Sequence, residues 1–194
     1  MKPLFSQQIL FSCLVLAGLV QAAPPLPGAL PTGGVVSSGS ASIATAGNTM
    51  TVNQSTNRAA INWDTFNVGK SSTVNFIQPN TQSATLNRVT GNSPSQIFGQ
   101  IHANGQVYLL NPSGIYFAPG AMVDVNSIVA TTHDLSDADF MAGKSSFSRK
   151  GSTASVVNEA QISASIGGYI ALLAPEVRNN GVVIAKQGTI AMAS

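Results

Sequence analysis

The chain has 194 residues, 44% of them hydrophobic, and a formal net charge of +2. That length accommodates one domain with a real core, and high apolar content with low net charge excludes intrinsic disorder. Charged residues are only 8% of the chain, against roughly 25% in an ordinary soluble domain, and only Arg149-Lys150 pair up among scattered basic residues, which argues against a nucleic-acid surface.

Residues 1–22 read as a secretory signal. Lys2 supplies a weak positive start, Ile9 to Val20 form the apolar segment, and Val20-Gln21-Ala22 fits small-residue cleavage between Ala22 and Ala23. About a dozen apolar residues fall short of the ~20 that cross a bilayer, so no stable membrane insertion is expected. Leu10-Phe11-Ser12-Cys13 echoes a lipoprotein box, but Phe11 is bulky and the apolar run continues beyond Cys13. Cys13 is the sole cysteine, so the processed chain has no disulfide to lock a fold before export. A large β core that needs no staples accounts for this equally well.

Residues 23–34 are rich in Pro and Gly and read as an extended lead-in. Strand-like pieces follow at Ala41 to Ile43, Thr49 to Val52, Arg58 to Trp63, Thr73 to Ile77 and Ala84 to Val89, mostly bounded by Gly, Asn, Ser or Pro. From Ala103 to Val125 the pattern is densest. Asn104-Gly105 leads into Gln106-Val107-Tyr108-Leu109-Leu110, then Asn111-Pro112-Ser113-Gly114 turns the chain into Ile115-Tyr116-Phe117. Pro112 suits position i+1 of a type I turn and Gly114 suits i+3. Brief strands and obligatory corners without intervening helices predict a solenoid. The exception is Asp134 to Gly143, where Ser136 and Asp139 are spaced as a capping box and Gly143 is a stop, predicting a helical turn inside a loop.

Repeats support a coil. Gly168-Tyr169-Ile170-Ala171 overlays Gly188-Thr189-Ile190-Ala191 after 20 residues, and Ile162-Ser163-Ala164 overlays Val183-Ile184-Ala185 after 21. The stretch Asn104 to Pro112 overlays Gly167 to Pro175 after 63 residues, three such periods, although Thr131 to Gly151 looks like an insertion off the coil. A period near 21 makes about eight coils from Ala23 to Ser194. Asn158, Asn179 and Asn180 suit coil-to-coil ladders, and turn formation alone also explains them. The chain stops directly after an uncapped strand, which implies a longer rod or a cover over its end.

Ordered landmarks run along the chain: Leu30-Pro31-Thr32-Gly33-Gly34, Gly47 to Gln54, Ile61-Asn62-Trp63, Phe66-Asn67-Val68-Gly69, Asn75-Phe76-Ile77-Gln78-Pro79, Leu86-Asn87-Arg88-Val89, Pro94-Ser95-Gln96-Ile97 and Asn111-Pro112-Ser113-Gly114-Ile115. In that order they resemble the N-terminal secretion domain of filamentous-haemagglutinin-type exoproteins of two-partner secretion systems. The family usually has Asn where this chain has Ser113. The resemblance implies an all-β fold, a right-handed parallel β-helix with an N-terminal β cap, spanning residues 23–194 as the first part of a longer exoprotein. It also implies Sec export from a Gram-negative cytoplasm and recognition in the periplasm by an outer-membrane β-barrel transporter with periplasmic recognition domains. The destination is the medium or the cell surface. Cargo regions would then act as adhesin, haemolysin or toxin, with a host-cell receptor or glycan as a further partner. No cofactor is implied.

Two other classes stand beside this one. A self-standing carbohydrate- or cell-binding adhesin would use Trp63 or Phe66 as a contact, although their spacing beside Ile61 favours at least one in the core. A polysaccharide-acting β-helix enzyme needs clustered acids. The only cluster, Asp134, Asp137 and Asp139, is accounted for by charge at a helix N-terminus. His133, beside that cluster, is a candidate ligand but reads better as a surface loop residue, His102 reads as an outward strand residue, and Ser113 lacks any nucleophile context.

Overall fold

The computed structural model describes residues 23–194; the expected signal, including Ala22, lies outside them. Three sheets run along a coil. The first holds β1 (Val35–Ser38), β4 (Arg58–Trp63), β6 (Ala84–Val89), β9 (Gln106–Leu110), β12 (Ser127–Thr131), β15 (Tyr169–Leu173) and β18 (Thr189–Ala193) in that spatial order. The second holds β2 (Ala41–Ala46), β3 (Thr49–Gln54), β5 (Thr73–Ile77), β8 (Gln100–Ala103), β11 (Met122–Val125), β14 (Gln161–Ala164) and β17 (Val182–Ala185). The third, short sheet stacks β7 (Ser95–Ile97), β10 (Ile115–Phe117), β13 (Ser155–Asn158) and β16 (Glu176–Asn179). All neighbours are parallel except β1 on β4 and β2 on β3. This is a right-handed parallel β-helix with an antiparallel β cap at its N-terminal end, and the five strand-like pieces expected before Thr90 are β2 to β6.

Each long sheet contributes six parallel strands, not the eight coils expected from the period. Two stretches leave the coil. Residues 23–48 go into the lead-in and cap, and residues 132–154 form an excursion carrying α1 (Asp137–Met141). The 63-residue overlay needs the same correction. Gln106 lies beside Ser127, one rung on, and Ile128 lies beside Ile170, 42 residues later in sequence yet again one rung on. The overlay therefore spans two rungs and the excursion, whose length happens to match a period.

Alternation places one set of side chains inside the coil. Ile61, Phe76, Leu109, Phe117, Ile128 and Ile170 belong to a continuous interior column, and each such burial contributes about 1.5–3 kcal/mol. Trp63 and Phe66 are both in it, each 1% exposed, with rings edge-on at 5.6 Å. Neither is a surface contact. The first sheet is buried on its outer face as well: Ala60, Leu86, Tyr108, Leu110 and Val129 pack beneath Leu135 and Phe140 of the excursion. Across rungs, Asn158 Nδ2 donates to Asn179 Oδ1 at 2.7 Å, the expected ladder, while Asn180 stands outside it and bonds through its backbone.

Candidate functional site

The Asn111 corner is a four-residue turn closed by Gly114 N donating to Asn111 O at 3.0 Å, as the Pro and Gly spacing predicts. Its hub is the Asn111 side chain, which is fully buried. Oδ1 accepts from Ser113 N at 2.9 Å, which braces the turn. Nδ2 donates to Ser93 O at 3.0 Å and Ser95 Oγ at 2.9 Å. The backbone N–H of Asn111 donates to Thr131 O. One residue thus ties its own turn to the rungs on both sides. Gly114 has φ +110, and a Cβ there would stand 3.2 Å from Ser155 O, so this position requires glycine.

Several family-motif positions serve the interior. Trp63 Nε1 donates to Asn87 Oδ1 at 3.0 Å, and Asn87 Nδ2 reaches Tyr108 O on the next strand. Gln78 occupies the corner after β5. Its Nε2 donates to Ser83 O, Thr85 Oγ1 and Gln106 O, and its Oε1 accepts from Gly105 N at 2.8 Å. Pro79 follows at that corner. Asn67 Oδ1 accepts from Gln96 N, and Ala23 O accepts from Gln96 Nε2 at 3.1 Å. Pro94 and Ser95 stand under Asn111 and Gly114. Buried amides in these positions satisfy corner backbone groups that would otherwise lie unpaired.

Arg88 does something different. Outward on β6, it pairs through Nε with Asp134 at 3.1 Å and through Nη1 with Asp137 at 2.6 Å. It also donates to Asn62 Oδ1 at 3.1 Å and to Leu135 O. Asp137 in turn accepts from Ser37 Oγ of β1 at 2.6 Å. The Asp cluster is therefore chiefly a clamp on Arg88. Asp137 and Asp139 also lie in the first turn of α1, as expected, and the Asp139 N–H donates to Ser136 Oγ at 3.1 Å. Burial pushes both Asp134 and Asp137 up, yet the Lys150 and Arg88 bonds to Asp134, and the Ser37 and Arg88 bonds to Asp137, leave each below the usual carboxylate value.

Between the excursion and the Asn111 corner lies a cleft of about 370 Å³, bordered by Arg88, Leu110, Pro112, His133, Arg149 and Lys150 among others. His133 is not the simple surface residue expected. Its Nε2 is buried without a hydrogen-bond partner among the described residues, as is Thr132 Oγ1. Burial, then the Arg149 charge, holds the imidazole below its ordinary pKa. The sequence marks His133 only as a loop residue or candidate ligand and gives no sign of Thr132, because an insertion shows in sequence only as a break in the repeat. His102 faces outward on β8 as expected, bonded to Gln100 Oε1 at 3.0 Å. Among the described residues no three His, Cys, Asp or Glu gather as a metal site, and no helix is long and apolar enough to cross a membrane.

Residues 28–194 match the family model described as TPS secretion domain. A heme/hemopexin-binding protein of Haemophilus influenzae is 41% identical over 135 residues, which are 69% of this chain and 15% of that protein. A second protein of that description from the same species is 38% identical over 110 residues, 57% of this chain and 12% of its own. The crystal structure of the HMW1 secretion domain from Haemophilus influenzae superposes with a TM-score of 0.81 at 34% identity, covering 84% of this chain and 44% of that one. The chain thus spans less than a sixth of the curated relatives it matches.

Proposed function

Because the chain belongs to the TPS secretion domain family, we propose that it directs a longer exoprotein to a cognate outer-membrane transporter and seeds that exoprotein's β-helix outside the cell. The observation that supports this best is the family match over residues 28–194 on a coil whose rungs are tied by its own corner residues. The relatives are named for heme/hemopexin binding, and cargo of that kind, rather than chemistry within residues 23–194, is the proposed payload. Recognition takes place in the periplasm after Sec export and cleavage beside Ala23. Asn111, Pro112, Ser113 and Gly114 act by setting coil register, with no catalytic or cofactor-binding part.

The test is export in cells that carry the transporter. Removing residues 35–194 abolishes release of the exoprotein, Gly114→Val reduces it, and Ser113→Asn leaves it unchanged. Normal release of the deleted protein overturns the targeting role. Equal release of the two point variants overturns the role given to the corner.

A further inference from the structure

We propose that the cleft between the excursion and the Asn111 corner seats an acidic segment of the transporter's periplasmic recognition domain, an inference that rests on the export reading above. The cleft is bordered by three cations, Arg88, Arg149 and Lys150, against one carboxylate, Asp134. Arg88 is spent on Asp134 and Asp137. Lys150 touches Asp134 but its side chain stays 67% exposed. Arg149 donates through Nε to Ser152 O at 2.7 Å and has no carboxylate partner among the described residues. Positive charge is left over at a recess whose floor, Val89, Leu110 and Pro112, is apolar.

Two other recesses among the described residues lack that surplus. Beside the third sheet, Arg178 is paired with Glu176 at 3.0 Å, and Tyr116 donates to Glu159 at 2.5 Å. On the second sheet, Asn75, His102, Asn104 and Asp124 line a groove without lysine or arginine. The cationic cleft also borders Pro112, so its shape depends on the corner that carries the family motif. Its wall includes Thr132 and His133, whose buried Oγ1 and Nε2 atoms find no partner among the described residues, a polarity that their packing does not use. A carboxylate side chain followed by a small apolar residue fits this pairing of cationic wall and apolar floor. A narrow recess favours one short segment over the broad contact that a lipid surface makes.

The experiment is binding of the full chain to its intact transporter in detergent, at low and high salt. Arg149→Glu combined with Lys150→Gln is expected to weaken binding about tenfold and to flatten its salt dependence. Lys186→Glu, on the exposed turn before β18, changes the net charge comparably and is expected to leave binding unchanged. Unfolding midpoints of the variants show that the fold is intact. Wild-type affinity in the double variant overturns the proposal, as does equal weakening by Lys186→Glu. Loss of binding to phosphatidylglycerol vesicles, with transporter binding unchanged, also overturns it, in favour of a lipid site. If the wild-type chain does not bind while export still needs residues 35–194, the cleft is wrong and the export reading stands.

Discussion

Arg88 and Asp137 lie 49 residues apart in the chain and meet at 2.6 Å, and the same carboxylate accepts from Ser37 of the cap. One ion pair therefore joins three parts: the antiparallel cap, the second parallel strand of the first sheet, and the excursion. The excursion in turn covers the outer apolar face of that sheet. Coil and cover hold each other.

Removing the cation should release the cover first. Arg88→Met leaves Asp134 and Asp137 partly buried and underpaired, and a loss of about 2 kcal/mol is expected, discounted for their partial exposure. Trypsin should then cut at Lys144, Arg149 or Lys150 well before the coil unfolds in urea. A protease pattern like that of the wild type would show that Leu135 and Phe140 alone hold the segment.

Phe140 is fully buried, edge-on to Tyr108 at 5.3 Å, with the Arg58 guanidinium 5.1 Å from its ring centre. Phe140→Ala is expected to cost about 3–5 kcal/mol if the cavity stays open. If the excursion lifts off instead, the loss is smaller and the uncovered face binds a hydrophobic dye. Chemical unfolding and dye fluorescence, measured together, separate the two.

At the corner, Asn111→Ala strands Ser93 O, Ser95 Oγ and Ser113 N, a loss of about 2–3 kcal/mol. Asn111→Asp keeps the acceptor for Ser113 N but turns an oxygen toward Ser93 O, so it should destabilise about as much. Ser113→Asn should be neutral, since Ser113 joins the turn through its backbone N–H. Urea midpoints of the three variants check this order.

Acid should loosen the excursion in two steps. His133 has a lowered folded pKa, so its contribution is complete above the unfolded value of about 6.5 and declines as pH falls below it. Asp134 and Asp137 are also lowered, so their contribution is complete above about 4 and is lost as pH falls through their folded values. Hydrogen exchange of residues 132–154 should accelerate in both windows. His133→Gln should abolish the first step and leave the second.

Much of the coil was legible in the sequence. Short windows hold both of its signals: alternation along strands such as Thr73 to Ile77, and turn residues such as Asn111-Pro112-Ser113-Gly114. The ordered motifs then named the family. At Trp63 and Phe66 the sequence favoured at least one ring in the core without settling both, because an aromatic residue in a strand or the corner after it suits either face. Burial of the first sheet on both sides had a faint signal in Ser127-Ile128-Val129-Ala130-Thr131, where alternation lapses, but nothing local says what lies on top.

The amino-acid order alone determined the strands, the corners and the stacking period, because each rests on backbone preferences within a few residues. Only the tertiary structure decided the number of rungs, the landing place of the excursion, the Arg88 clamp and the burial of the His133 Nε2 atom. Those depend on side chains some 50 to 100 residues apart meeting across rungs (Arg88 with Asp137, and Asp137 with Ser37). Such meetings are set by how the coil closes, and no short window of sequence contains that closure.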